Sequence, residues 1–145
     1  MDEDEVWQFI ESQKTVQVCS INKDGSPHLV PMWFVVPGKS IVLVSYTKSQ
    51  KIRNLMRNPK IAILFEDGDE YENLRGVSIN ADASLLDDPD EVQSMEKKLI
   101  IRNQAGQQAA DVEEMTRKSS SKKTAIVITP SRIISWDHRK LDVSY

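Results

Sequence analysis

Ser45-Tyr46-Thr47-Lys48-Ser49-Gln50-Lys51-Ile52-Arg53-Asn54-Leu55 is the stretch in which a β-rich run gives way to a short helix, and the rest of the chain is organised around that joint. Ile41 to Tyr46 reads as a strand. After Ser49, Ile52, Leu55 and Met56 fall three and four apart, the spacing of one helical face. Arg53 and Arg57 lie on one flank of that face and Lys51 and Asn54 on the other, and Asn58-Pro59 ends the helix. Hydroxyls at Ser45, Thr47 and Ser49 stand close in sequence to cations at Lys48, Lys51 and Arg53. Lys51 falls in the first helical turn. A cation there faces the positive end of the helix dipole, which costs a few tenths to about 1 kcal/mol unless an anion lies between them. Residue types alone leave two readings open: a solvated basic face, or a seat for a phosphate.

On the N-terminal side of the joint, Pro37-Gly38-Lys39 is a turn and Pro27 to Val36 a strand that is apolar on both faces. Pro31 cannot donate a ladder hydrogen bond, so it marks an edge, a bulge or a break. Asn22-Lys23-Asp24-Gly25 reads as a hairpin turn leading back to a strand over Thr15 to Ile21. Three strands thus form a meander. Before them, Val6, Phe9 and Ile10 predict a short amphipathic helix within Asp4 to Gln13, with acids in its first turn.

On the C-terminal side, Lys60 to Glu66 is a fourth strand and Asp67 to Leu74 an acidic, polar loop. Val77, Ile79, Ala81, Ala83 and Leu85 then alternate with Ser78, Asn80, Asp82 and Ser84, as a strand with one wet face requires. Asp88-Pro89-Asp90-Glu91 supplies an N-cap, a proline at the first helical position and an acid at the third. Val92, Met95, Leu99 and Ile100 carry that helix to about Asn103. Gln104 to Lys122 predicts a mobile polar stretch with weak helical signal over Ala110 to Met115. Thr124 to Thr129 and Arg132 to Trp136 are final strands around a turn at Pro130-Ser131, and Asp137 to Tyr145 is a polar tail. About seven short strands with helices after the third and fifth make a mainly β fold, a closed or nearly closed antiparallel barrel with peripheral helices. A parallel sheet would need a crossover helix after most strands, which this chain does not supply.

The 145 residues fit one domain spanning 1–145. A net charge of −3 gives no general attraction to nucleic acid or to an anionic membrane. A barrel binding single strands through Arg53, Arg57, Trp33 and Tyr46 is disfavoured for the same reason. Cys19, the only cysteine, excludes an intrachain disulfide and a thiolate cluster, and reads as a small buried hydrophobe. His28 and His138 are the only imidazoles and lie far apart, so no metal site is expected. Asp67-Gly68-Asp69-Glu70 reads as a solvated loop in preference to a cation site. Met1-Asp2-Glu3-Asp4-Glu5 is acidic where a secretory signal is basic, and no apolar run approaches the ~20 residues of a membrane span, so a cytoplasmic location is expected. Phosphate-loop, dinucleotide-turn, nucleophile-elbow and zinc-helix motifs are missing. No catalytic acid, base or nucleophile is assigned.

Asp24-Gly25-Ser26-Pro27-His28 through Pro31-Met32-Trp33-Phe34, Ser49-Gln50-Lys51-Ile52-Arg53-Asn54-Leu55 with Asn58-Pro59 and Ala62, Arg75-Gly76-Val77, and Ile134-Ser135-Trp136-Asp137-His138-Arg139-Lys140-Leu141 occur in an order that covers most of the chain. Together they resemble the split β-barrel family of pyridoxamine 5′-phosphate oxidase-like flavoproteins, and within it the flavin- and deazaflavin-dependent oxidoreductases. The resemblance implies a split antiparallel barrel of about six or seven strands and three or four helices, in a homodimer with a cofactor at each of two interface sites. It implies that Ser45, Ser49, Gln50 and Lys51, with Arg53, hold the phosphate of FMN or of the deazaflavin coenzyme F-420. The ring would lie along the backbone of Val30, Pro31, Met32 and Trp33. The implied activity is hydride transfer between that cofactor and a small organic substrate; the alternative is a non-catalytic flavin- or tetrapyrrole-binding protein for storage or sensing. Val30 and Gly76 stand where the oxidase proper has an arginine and a glutamine, so vitamin B6 oxidation is not implied. Trp136 and Arg139 fall loosely where that enzyme holds its substrate; whether Trp136, His138 or Arg139 reaches the partner subunit's site is left open by the sequence, and Trp136 reads first as an apolar plug for the barrel end.

Overall fold

Seven antiparallel strands curl into a half-barrel accompanied by four α-helices in the computed structural model, which describes residues 1–104 and 106–142. In chain order the elements are α1 (Glu3–Ser12), β1 (Val16–Ile21), β2 (Pro27–Met32), β3 (Ile41–Tyr46), α2 (Gln50–Arg57), β4 (Lys60–Asp67), β5 (Arg75–Leu86), α3 (Pro89–Asn103), α4 (Ala109–Ser119), β6 (Lys123–Ile128) and β7 (Arg132–Asp137). The strands follow the order β2-β1-β4-β5-β6-β3, and β7 pairs with β5. Val35, beyond the end of β2, exchanges both backbone hydrogen bonds with Val42 of β3 at 3.0 and 2.9 Å. That single bridge is an isolated link between the segment after β2 and β3, the two end strands of the sheet. No helix among the described residues is long and apolar enough to cross a membrane.

Several sequence expectations shift in the structure for identifiable reasons. The strand expected over Pro27 to Val36 ends at Met32, because Trp33 and Phe34 leave the ladder and Phe34 turns inward to pack edge-on against Phe65, 4.9 Å between centroids. Pro31 does not break pairing: Gln17 lies opposite Pro31 and Val16 opposite Met32. It is tolerated because β2 pairs only with β1 and is an edge strand. Pro130-Ser131 is not a hairpin turn. β7 and β6 follow one another along β5, with Arg132 opposite Asn80 and Ile128 opposite Ala83, so three residues face two in a bulge. The Ser131 amide donates to the Asn80 carbonyl at 3.1 Å within it.

The polar stretch after Gln104, expected to be mobile, is largely helical as α4. One apolar side chain, Val112, and the buried Thr116 face α3, and the remaining contacts are polar. Gln93 donates to the Thr116 hydroxyl at 3.1 Å and to the Glu113 carbonyl at 3.2 Å, and Lys97 pairs with Glu113. Tertiary polar contacts of this kind leave no periodic apolar signal. In the polar tail, Asp137 closes β7 and His138 to Lys140 form a single 3-10 turn; residues 143–145 lie outside the described part.

The core follows from strand alternation. Val16, Val18, Ile61, Ile63, Phe65, Val77 and Ile79 point into the barrel, where α1 adds Val6, Phe9 and Ile10 and α2 adds Ile52 and Leu55. A smaller cluster, Val35, Val42, Val92, Leu99 and Ala125, lies where α3 packs on β3 and β6. Cys19 is half-buried and faces outward with its register partners Leu29 and Ala62, so it is not part of the core.

Candidate functional site

A buried asparagine fixes the start of α2. Asn54, fully buried, donates to the Ser20 hydroxyl at 3.0 Å and to the side-chain Oδ1 of Asn22 at 2.9 Å, and accepts from Gln50 at 2.8 Å. Helix α2 is thereby tied to the end of β1, and its first turn is aimed at the end of β3. Ser49 is the N-cap residue, yet its side chain makes no capping bond; the Ser45 hydroxyl donates to it at 3.1 Å. The first turn carries no acid. The helix therefore offers positive N-terminal amides with no side-chain acceptor of its own.

Lys51 folds back across this turn and donates to the Ser45 hydroxyl at 3.1 Å. No carboxylate among the described residues pairs with it, and partial burial pushes its ammonium below the ordinary lysine range. A desolvated cation, two hydroxyls and an acid-free helix start converge on one point. Such a set holds a tetrahedral oxyanion through charge-assisted hydrogen bonds.

This point opens onto a cleft of about 470 Å³. Pro31, Met32 and Trp33 form one wall and Val44 and Lys51 the floor. The opposite wall comes from α3, α4 and β6 through Glu96, Leu99, Ile100, Gln104, Met115 and Lys123. Beside the cleft, Arg102 of α3 donates to the Glu11 and Gln13 carbonyls at the end of α1, at 2.9 and 2.7 Å, and lies 4.2 Å from the ring centre of Phe34, the residue after Trp33.

Of the residues read from the sequence, the structure gathers Pro31, Met32, Trp33 and Lys51 in the cleft, with Ser45 accepting from Lys51 and donating in turn to Ser49. Val30 is half-buried on β2 and does not line it. Gln50 faces a neighbouring hollow, and Arg53 is exposed outside both. Trp136 is not a plug of the barrel end. It is opposite Gly76 on the outer face, where a Cβ at position 76 would come within 2.0 Å of the indole, and it does not line the cleft. His138 packs on Tyr71 with its Nδ1 2.7 Å from the Tyr71 carbonyl. Arg139 grips Asp137 at 2.6 and 2.8 Å, which lowers that carboxyl to about 2.

Glu96, Lys123 and Ser119 were not singled out from the sequence. Glu96 is buried, pairs with Lys123 and accepts from the Ser119 hydroxyl at 2.9 Å, while the Lys123 ammonium lies 5.0 Å from the Tyr46 ring centre. One signal was present. Glu96 sits four after Val92 and three before Leu99, so an acid occupies the apolar stripe of α3.

The family model for Pyridoxamine 5′-phosphate oxidase matches residues 2–137. Among solved structures, a conserved hypothetical protein from Mycobacterium tuberculosis is 35% identical, with 100% of this chain and 90% of that one covered and a TM-score of 0.91. An F-420 reductase is 23% identical over 88% of this chain and 94% of its own, with a TM-score of 0.66. The heme storage protein HutZ from Vibrio cholerae is 17% identical over 91% and 92%, with a TM-score of 0.67. The last two likenesses show the fold alone. No curated protein matches the chain.

Proposed function

The chain belongs to the pyridoxamine 5′-phosphate oxidase family, and from that premise we propose that it is an oxidoreductase using FMN or the deazaflavin coenzyme F-420 to pass hydride to or from a small organic substrate. The observation that carries this reading is the partly buried Lys51, without a carboxylate partner and bonded to Ser45 at the acid-free start of α2. These residues fit a cofactor phosphate. Lys51, Ser45 and Ser49 would hold its oxygens and the amide of Gln50 would add the helix end, while exposed Arg53 contributes only longer-range positive charge.

The edge strand β2 leaves one row of backbone groups without a strand partner, and those from Val30 to Trp33 would hydrogen-bond the rim of a planar ring. Leu99, Ile100 and Met115 would exclude water from its face. When bound, such a ring supplies the two-electron chemistry, and the protein supplies binding, orientation and electrostatics. The one carboxyl of the cleft lining, Glu96, is buried in an ion pair with Lys123 and accepts from Ser119, so it serves as a structural charge pair in this reading. Vitamin B6 oxidation is not proposed, since Val30 and Gly76 lack the polar side chains of the oxidase and Gly76 is covered by Trp136.

A homodimer is part of the proposal. The outer sheet face carries Leu29 and Ile134, 66% and 48% exposed, beside half-buried Cys19, Leu64 and Trp136. A second copy would bury this face. A small-molecule substrate and a cytoplasmic location complete the reading, with no role for nucleic acid or membrane.

The second reading, a non-catalytic flavin or tetrapyrrole carrier, draws on the fold likeness to HutZ. Among the described residues the cleft walls offer Met32 and Met115 as soft donors to a haem iron and no imidazole, which favours the oxidoreductase. The test is the absorption spectrum and mass of the cofactor that co-purifies. It is followed by turnover of the loaded protein with NAD(P)H or reduced deazaflavin against quinones, nitro compounds and biliverdin. Flavin or deazaflavin turnover is expected; a tetrapyrrole with no turnover overturns the reading.

A further inference from the structure

The cleft lining holds an ion pair, Glu96 of α3 with Lys123 at the start of β6, and its two ends are not equally satisfied. Both carboxylate oxygens are engaged: one accepts from Lys123 and from the Ser119 hydroxyl at 2.9 Å, and the other accepts from the same hydroxyl at 2.9 Å. The ammonium carries three N–H donors. Glu96 takes one, and the others meet no acceptor among the described residues; the Tyr46 ring centre lies 5.0 Å away on the neighbouring strand β3. Side-chain exposure follows the same asymmetry, 9% for Glu96 and 18% for Lys123. The pair thus presents its positive end, with donors to spare, to the cleft.

A charge pair in this place is not explained by stability. Val44, Leu99 and Ile100 line the same cavity, and apolar packing there would hold as well as two desolvated charges or better. What the arrangement does achieve is to fix the ammonium, because Glu96 and Ser119 tie it to α3 and α4. The remaining charged group of the lining is Lys51 on the floor, and the remaining polar one is Gln104, which is neutral. Trp33 and Met115, from opposite walls, are 43% and 49% exposed. A planar, largely apolar body lying between them with one oxygen toward Lys123 would cover both side chains and engage the spare donor.

We propose that Lys123 contacts the substrate, donating to the oxygen of a planar conjugated carbonyl acceptor on which negative charge collects during reduction, and that Glu96 and Ser119 position it. The inference deepens the oxidoreductase reading and rests on it for the reductant, a reduced flavin or deazaflavin. A hydride, with its electron pair, adds to a carbon of the conjugated system, the π electrons shift onto the carbonyl oxygen, and a proton from water completes the reduced product. An ammonium N–H binds that oxygen more strongly as an anion than as a neutral carbonyl, so the contact favours the reaction step over substrate binding.

The probe is p-nitrophenol, whose phenolate stands in for the charged oxygen, titrated by absorbance into the cofactor-loaded chain below and above its ionisation. The wild type should bind the phenolate about tenfold more tightly than the phenol, the effect of one charge-assisted hydrogen bond. Lys123→Met should abolish that preference, Lys123→Arg should keep it, and Glu96→Gln should increase it by removing the opposing charge. The double variant Glu96→Gln/Lys123→Met leaves no lone buried charge and should repeat the loss in a chain that folds without that burden. A purely structural ion pair predicts that Glu96→Gln and Lys123→Met lower stability alike and leave the preference alone. That outcome overturns the inference, as does equal binding of phenol and phenolate by the wild type or a preference that survives in the double variant. Turnover of 1,4-naphthoquinone separates the premise: Lys123→Met should lower kcat about tenfold with KM little changed, and Lys123→Arg should recover it. A wild type that prefers phenolate but reduces no acceptor overturns the oxidoreductase reading and the catalytic role with it, while the donor itself stands.

Discussion

Lys51→Ala tests the phosphate seat through affinity, stability and pH together. In the free protein, the ammonium makes one hydrogen bond, to Ser45 at 3.1 Å, and has no carboxylate partner among the described residues. Removing it loses about 1 kcal/mol of hydrogen bonding and relieves a desolvated cation at the positive end of a helix, so the two effects nearly cancel. The midpoint of denaturation should move by less than about 1 kcal/mol equivalent. A bound phosphate, by contrast, loses a charge-assisted bond of about 1.5–3 kcal/mol, so Kd should rise about 10- to 100-fold. The pH dependence has a fixed sign. Burial holds Lys51 below its ordinary 10.5 in the free protein, and a phosphate beside it raises that value. Binding therefore favours the protonated lysine, and wild-type affinity should fall as pH rises through the free-protein value. The variant should show no such fall. Titration of FMN and F-420 by fluorescence between pH 7 and 10, with urea denaturation of both proteins, reads all three effects. Equal affinities and parallel pH profiles would refute the assignment.

Gly76→Ala should displace the Trp136 indole, because the new Cβ would lie 2.0 Å from it; a destabilisation of about 1–3 kcal/mol with a shift in tryptophan emission is expected, and an unchanged spectrum and Tm would count against the packing. Asp137 is held at about 2 chiefly by the Arg139 hydrogen bonds, against an ordinary 3.8. Its contribution, on the order of 1 kcal/mol after solvent screening of Arg139, is present above the ordinary value and lost as pH falls toward 2. Asp137→Asn should flatten urea stability over that window, and identical slopes for wild type and variant would exclude it. Leu29→Lys, on the exposed outer face, should shift the protein to monomer in light scattering if a second copy covers that face; an unchanged mass would move the interface elsewhere.

Much of the fold was legible because strand alternation and turn chemistry are local. Val77 to Leu85 announced its buried and wet faces, Asn22 to Gly25 announced the hairpin, and Asp88-Pro89 announced α3. What escaped was non-local. Whether Pro31 lies on an edge depends on which strand fails to arrive on its outer side. Whether Pro130 turns or bulges depends on the length of β5, whose twelve residues accommodate both β6 and β7. Helix α4 escaped because its docking rests on Gln93, Lys97 and Glu113, polar residues that carry no period.

The candidate site divides along the same line. The end at Lys51, where we propose a phosphate, drew notice in the sequence because a lysine in a helical first turn contradicts the local field, and such a contradiction carries information in one dimension. The opposite wall was not readable as a wall. Leu99 and Ile100 satisfy the apolar stripe of α3 whether they face a core or a cleft, and Leu99 does both. Glu96 is the instructive exception: it contradicts its own stripe as Lys51 contradicts its dipole, and it too marks the cleft. Burying a carboxylate beside Lys123 costs desolvation that an apolar residue there would avoid. The two residues that violate their local rules thus meet in one cavity, although they belong to helices separated by two strands, which supports a binding role for that cavity over mere imperfect packing.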